Sequence, residues 1–241
     1  MKITIFSETI TNPESLQCYP LTMNGTLVDF ISKKHDVRLI EQGKDNNSDG
    51  SALTEEILKD TDVLIWWGHC FHGLVSDKVV DMVVDYVNRG MGMIALHSAH
   101  ESKPIQRLLG TTGALSWREM GESERIWVVD RTHPIAKGID KFIYIDHEEM
   151  YGEPFNIPTP DELVFISWFQ GGEVMRSGCV FKRGLGKLFY FRPGHETLPT
   201  YLNKDVQKVI LNAIKYVAPS LPIAKERIKS VFCEPLEKLG N

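Results

Sequence analysis

Residues 62–67 and 93–96 are short, almost continuously apolar runs, and they constrain the fold more than anything else in the chain. A strand with one solvated face alternates apolar and polar residues, so runs of this kind predict strands buried on both faces. Between them, residues 77–88 place Val79, Val80, Val83, Val84 and Val87 on one helical stripe, with Ser76 as candidate N-cap and Gly90 as stop signal. Strand, helix and strand in this order form a βαβ unit, the building block of a parallel sheet covered by helices. Residues 2–6 and 36–40 add two more strands. A helix over 23–34, carrying Leu27, Phe30 and Ile31, crosses between them, and a short helix over 53–60 opens with Thr54-Glu55-Glu56.

The second half reads as richer in strands: 125–129, 142–145, 163–168, 177–182 and 187–191, with Arg183-Gly184-Leu185-Gly186 as a hairpin turn. A last helix over 205–217 presents Val206, Val209, Ile210, Ala213, Ile214 and Val217 to the sheet, and Pro219 and Pro222 end it. We read residues 1–218 as one α/β domain and 219–241 as an extension packed on it or at an oligomer interface. Within that extension, 224–241 is expected to form a short amphipathic helix, with Ile228, Val231 and Phe232 able to mediate self-association.

With 27 basic and 32 acidic residues spread along the chain, net charge −5, there is no basic stripe for a nucleic-acid backbone. No apolar run approaches the ~20 residues that span a bilayer, and the first residues read as a strand rather than a leader, so a cytoplasmic protein with no membrane partner is expected. Cys18, Cys70, Cys179 and Cys233 are widely spaced without a Cys-x-x-Cys pair, as reduced thiols are. Any metal must then be held by histidine and carboxylate.

Histidine placement points to the site. In Trp67-Gly68-His69-Cys70-Phe71-His72, Leu96-His97-Ser98-Ala99-His100, Asp146-His147-Glu148-Glu149-Met150-Tyr151 and Gly194-His195-Glu196, imidazoles follow predicted strands. Ligands of open α/β sheets bind at the carboxyl ends of strands, so four distant segments can converge there. Residues three apart on a strand face opposite ways, which favours His69 and His97 for the pocket and leaves His72 and His100 to cap or to bond a carbonyl. Glu149 is a candidate base, His147 a ligand group, and His195-Glu196 a catalytic dipeptide. Tyr151, Trp66 and Trp117 are candidate contacts to a sugar ring, and Arg192 a candidate anion contact. Cys70, between two imidazoles, and Ser98, beside His97, are alternative nucleophiles, although neither lies in a Gly-x-Ser-x-Gly-type elbow.

Taken together, Asp62-Val-Leu-Ile-Trp-Trp-Gly-His69, Ile94-Ala-Leu-His97-Ser-Ala, His133-Pro-Ile-Ala-Lys-Gly138, His147-Glu-Glu-Met-Tyr151 and Gly184-Leu-Gly-Lys-Leu-Phe-Tyr-Phe-Arg-Pro-Gly-His195 resemble the trehalose-utilisation (ThuA-like) family over about residues 1 to 218. The resemblance implies a class I glutamine amidotransferase-like, flavodoxin-like sheet with extra strands in the second half. It places His97 where amidotransferases of this fold carry their elbow cysteine, and likens His195-Glu196 to the His-acid end of their triad. With the nucleophile missing, glutaminase chemistry is not expected. The implied role is in catabolism of trehalose or a related disaccharide, beside a sugar dehydrogenase that makes 3-keto sugars. His97, His195, Glu149 and Glu196 are then acid–base candidates, and His69, His97, His147 and His195 candidate ligands of a divalent Zn, Mn or Fe, with no nucleotide cofactor. Two other readings stand beside this one: a hydrolase using Cys70 or Ser98, and a non-catalytic sugar-binding accessory protein.

Overall fold

The computed structural model describes residues 1–44, 47–227 and 229–237. Its strands, in chain order, are β1 (Lys2–Glu8), β2 (Asp36–Gln42), β3 (Val63–Trp67), β4 (Gly92–Leu96), β5 (Ser116–Val128), β6 (Phe142–Gly152), β7 (Glu162–Phe169), β8 (Val174–Arg183) and β9 (Gly186–Phe191). All join one sheet in the order β2-β1-β3-β4-β9-β8-β7-β5-β6. From β2 to β9 every pairing is parallel, and from β9 to β6 every pairing is antiparallel. Strand β9 is the seam between a doubly wound half and a meandering half.

The helices are α1 (Pro13–Cys18), α2 (Met23–Ser32), α3 (Glu55–Lys59), α4 (Asp77–Asn88), α5 (Lys103–Leu109) and α6 (Lys204–Val217). Leu27 and Ile31 of α2 and Val206, Ile210 and Ile214 of α6 cover one face, packing with Ile5, Ile65, Ile94 and Phe189. On the other face, Val80 and Val83 of α4 and Ile105 of α5 pack with Phe6, Leu64, Met93 and Leu188. Each such fully buried side chain contributes about 1.5–3 kcal/mol of transfer free energy. Strands sealed on both sides must be apolar throughout, which is why β3 and β4 show no alternation.

Three features depart from the sequence expectation. Helices α1 and α5 carry no long periodic stripe; α1 has six residues and is fixed by its N-cap, the Asn12 side chain accepting from the Ser15 amide. Strands β5 and β6 run far past residues 125–129 and 142–145. The tail is not helical in its described residues, and the Arg89 guanidinium at the end of α4 ties it down by donating to the carbonyls of Ala224 at 2.7 Å and Lys225 at 2.6 Å. Beyond that tie Val231 and Phe232 are exposed, and Ile228 lies outside the described residues. No helix of the described residues is long and apolar enough to cross a membrane.

Candidate functional site

The parallel half ends its strands level: Ser7 pairs with Trp67, Trp67 with Leu96, and Leu96 with Phe191. The residues that leave these strands, Glu8, His69, His97 and His195, therefore emerge along one edge. Four carboxylates and three imidazoles gather there: Glu8, Glu119, Glu149 and Glu196 with His69, His97 and His195. The imidazole centroids lie 5.4 Å apart for His97 and His195, 5.5 Å for His69 and His195, and 6.2 Å for His69 and His97.

His97 sits on a sharp elbow after β4 with φ 54°, a left-handed conformation that a non-glycine residue adopts at a cost. Its ring is fully buried between Trp67 and Tyr151, near-parallel to both at 14°. Nδ1 lies 3.4 Å from the Arg192 carbonyl, which can only accept, so Nδ1 carries the proton and Nε2 offers its lone pair. That lone pair faces Glu149 Oε2 at 3.3 Å and the Tyr151 hydroxyl at 3.5 Å. Burial, then the neighbouring His195, hold His97 well below the usual histidine range, and burial pushes the Glu149 carboxyl up to about 7. A neutral imidazole facing a buried carboxyl that stands ready to take or give a proton at neutral pH is an acid–base pair in geometry and in electrostatics.

His69 is placed by a residue that sequence reasoning missed. The Glu8 carboxylate, at the end of β1, accepts the backbone N–H groups of His69, Cys70 and Phe71, each at 2.8 Å. Gly68 makes the turn possible, because a Cβ there would lie 2.8 Å from the His72 ring. His195 follows Gly194, whose φ of 134° and 2.0 Å approach of a would-be Cβ to Tyr201 admit only glycine. The Gly194 carbonyl accepts from the Trp67 indole at 3.0 Å, joining the ends of β3 and β9. Beyond it, His195 Nε2 lies 2.7 Å from Glu119 and Nδ1 3.7 Å from Glu196.

Glu149, Tyr151, Trp117 and Glu119 arrive from the antiparallel half. Residues 116–122 of β5 and 148–152 of β6 pair only with one another beyond the stretch that pairs with β7, and two register shifts bend this ribbon over the strand ends. Between the pairs Glu124–Ile145 and Glu122–Glu148, β6 carries one extra residue, and this bulge reverses the facing of every later residue on the strand. The ribbon and the loops after β3 and β4 enclose a cavity of about 330 Å³ lined by His69, Ser98, Trp117, Glu119, Glu149 and Tyr151 among others. Trp117 is 65 % exposed at its mouth.

Three expected contacts lie elsewhere. His147 falls at the bulge, exposed, with Nδ1 donating to the Gly121 carbonyl at 3.0 Å, so it joins neither cavity nor imidazole cluster. Trp66 faces the α4 side, its ring 4.1 Å from that of Phe6; period-two alternation delivers Trp67 to the site instead. Arg192 is completely buried beneath the site, where it pairs with Glu124 and Glu148 and donates to the Glu149 carbonyl at 2.8 Å, acting as a strut rather than an anion contact. His100 bonds a carbonyl, that of Gly113 at 2.8 Å, and His72 is largely buried with neither ring nitrogen hydrogen-bonded.

Cys70 Sγ lies 3.2 Å from His69 Nδ1, the contact a thiol nucleophile needs, but the electrostatics and the surrounding donors weigh against a nucleophilic hydrolase. Burial, then the Glu8 and Glu196 carboxylates, raise the Cys70 thiol, opposite to an activated thiolate. The amides of His69, Cys70 and Phe71, which could have stabilised an oxyanion, are already taken by Glu8. Ser98 Oγ bonds the Tyr151 hydroxyl at 2.5 Å rather than an imidazole.

Fold and site define a class: a glutamine amidotransferase-like, flavodoxin-like α/β protein whose elbow after β4 carries a histidine. Solved structures agree on the fold. A putative ThuA-like protein from Parabacteroides merdae superposes with TM-score 0.68 at 14% identity, covering 94% of this chain and 92% of its own. Another from Bacteroides uniformis gives 0.61 at 15% identity, covering 90% of each chain. A glutamine amidotransferase from Thermotoga maritima gives 0.56 at 8% identity, covering 90% of this chain and 97% of its own. Among curated proteins no sequence matches this chain. The ThuA family model, described as trehalose utilisation, matches residues 2–217, and the chain belongs to that family.

Proposed function

We propose that this protein is a carbohydrate-catabolism enzyme that acts on a disaccharide carrying a ketone, a 3-keto sugar, by proton transfer beside the carbonyl. The observation that carries the reading is the His97–Glu149 pair, 3.3 Å apart, with Glu149 lining the cavity and His97 fully buried beside it. A C–H next to a ketone is acidic, so a positioned carboxylate can remove it while the electron pair moves onto the carbonyl oxygen. Glu149 takes the proton, and once protonated its O–H can donate to the Nε2 lone pair of His97. Reprotonated on the opposite face, the enolate gives the epimeric sugar; alternatively its electron pair forms a C1–C2 double bond as the C1–O bond breaks, and the departing oxygen takes the proton from Glu149 and leaves as an alcohol. Trp117 offers an aromatic face to a pyranose ring at the mouth, and His69, Tyr151 and Glu119 present polar groups to its hydroxyls. A dehydrogenase that oxidises the sugar would supply such a substrate. We place the protein in the cytoplasm, where that dehydrogenase would work.

The test is turnover of 3-keto-trehalose, prepared with such a dehydrogenase, by wild-type protein and by Glu149→Gln and His97→Asn variants. A loss in kcat of at least about 100-fold in both, with KM little changed, is expected. Unchanged turnover in both variants would overturn the assignment. Tight disaccharide binding with no turnover by wild type would instead favour the sugar-binding accessory reading, and inactivation coupled to Cys70 alkylation the hydrolase reading.

A further inference from the structure

Three side chains beside the His97–Glu149 pair point donor atoms at one another, and apart from Glu196 Oε2 these atoms meet only light neighbours: Cys70 Sγ lies 3.2 Å from His69 Nδ1, and the Asn12 amide 3.4 Å from Glu196 Oε1, while Thr197 contacts His195 Nδ1. His69, His195 and Glu196 each offer one ligand atom, all within 4.8 Å of one another. His69 Nδ1 lies 3.6 Å from Glu196 Oε1, and His195 Nδ1 3.7 Å from Glu196 Oε2. An ion about 2.1 Å from each donor would subtend roughly 120° at such separations, so a few tenths of an ångström of closure by the donors would bring them to tetrahedral angles. Glu196 is 5 % exposed, and its Oε2 has no hydrogen-bond partner, an arrangement that an anionic oxygen holds only if something positive arrives.

The surroundings are those of a metal-binding imidazole. His195 Nε2 lies 2.7 Å from the Glu119 carboxylate, so Nε2–H donates outward and Nδ1 carries the lone pair, which accepts from the Thr197 amide at 3.2 Å and which an ion would take over from it. The Glu8 carboxylate pins the His69 backbone, and Asn12 Nδ2 donates to Glu196 Oε1 at 3.4 Å. These contacts fix the donors before a ligand arrives. The other triad, His97, Glu149 and His195, is also compact, but its shortest contact is the pair that the proposed chemistry needs free.

We infer that His69, His195 and Glu196 bind one divalent transition-metal ion beside the proton-transfer pair, with His69 the ligand that also lines the cavity where the oxygens of a sugar would approach. Two imidazole nitrogens and one carboxylate oxygen suit zinc and manganese. The inference rests on this cluster being the working site, and not on the identity of the substrate.

The experiment is calorimetric titration of chelator-stripped, untagged protein with zinc chloride, repeated on Glu196→Gln, His69→Asn and Glu149→Gln, with circular dichroism as the folding control. One ion per chain is expected. Affinity should fall at least 100-fold in Glu196→Gln and His69→Asn and by less than threefold in Glu149→Gln. Binding of less than one-tenth equivalent by wild type would overturn the inference, as would loss in Glu149→Gln with retention in Glu196→Gln, which would move the ion to the other triad. Turnover of the keto sugar by stripped protein would leave the proposed function standing while removing this ion from it. Stoichiometric zinc on a protein inert toward keto sugars would do the reverse.

Discussion

Replacing Glu8 with glutamine tests whether one carboxylate organises the loop that carries His69. In the wild-type protein Oε1 accepts from His69 and Phe71 and Oε2 from Cys70, each at 2.8 Å, with Glu8 3 % exposed. A glutamine carbonyl in the Oε1 position keeps two of these bonds, now to a neutral acceptor, and its NH2 group confronts the Cys70 amide. Bonds to a charged acceptor contribute about 1.5–3 kcal/mol and neutral ones about 0.5–1.5, so weakening two and losing the third costs roughly 3–5 kcal/mol before relief of carboxylate desolvation, and about 2–4 after it. Urea unfolding with an unchanged m-value should report that loss directly, and thermal unfolding should fall by roughly 2–4 °C per kcal/mol in a chain of this size. Zinc affinity should fall with it, because His69 loses its anchor. A Glu8→Gln protein within about 0.5 kcal/mol of wild type would show that the amides find water instead, and the argument for a preset loop would fail.

Because His97 adopts φ 54°, His97→Asn should be roughly 1 kcal/mol more stable than His97→Ala by chemical denaturation, asparagine tolerating that conformation better; equal stability would contradict the strain. Arg192→Met leaves Glu124 and Glu148 buried without their cation and should destabilise by about 3–5 kcal/mol at about pH 7.5 in urea melts, a loss that shrinks in acid as burial has already pushed Glu124 up to about 7. Burial lowers His100 to about 4 against about 6.5 unfolded, so between those values the unfolded chain binds more protons and stability is lost as pH falls from 6.5 toward 4, by about 3 kcal/mol in full. Stability–pH curves of wild type and His100→Gln should therefore converge in slope above about pH 6.5 and separate below it; parallel curves would refute the assignment.

The parallel half was legible because its strands obey one rule, burial on both faces, and α4 was bounded correctly by Ser76 and Asn88. Reading β1 as 2–6 lost Glu8, since Ser7 and Glu8 are polar; both are buried because Asn24 and the His69 loop satisfy them. The ribbon of residues 116–122 has no sealed face, so Ser-Trp-Arg-Glu-Met-Gly-Glu shows no strand periodicity, and only the spacing of Trp117 and Glu119 hints at a shared face. Strand parity is no guide where a bulge intervenes. His147 and Glu149 share a face on a regular strand, and a single added residue is a tertiary decision that local sequence does not announce. Trp66 and Trp67 could not be ranked either, because both faces of β3 are buried and either ring could lie on the site's side. His69, His97 and His195 were recoverable because convergence at strand ends follows from topology alone.

The Arg192 strut has one more consequence. Glu149 belongs by sequence to the outermost strand, yet its own carbonyl is fastened to the end of β9, whereas Trp117 and Glu119 hang on the free part of the same ribbon. Lengthening or re-sequencing that ribbon would reshape what enters the cavity without shifting the carboxyl proposed to react, so selectivity can drift among descendants of this fold while that group stays anchored.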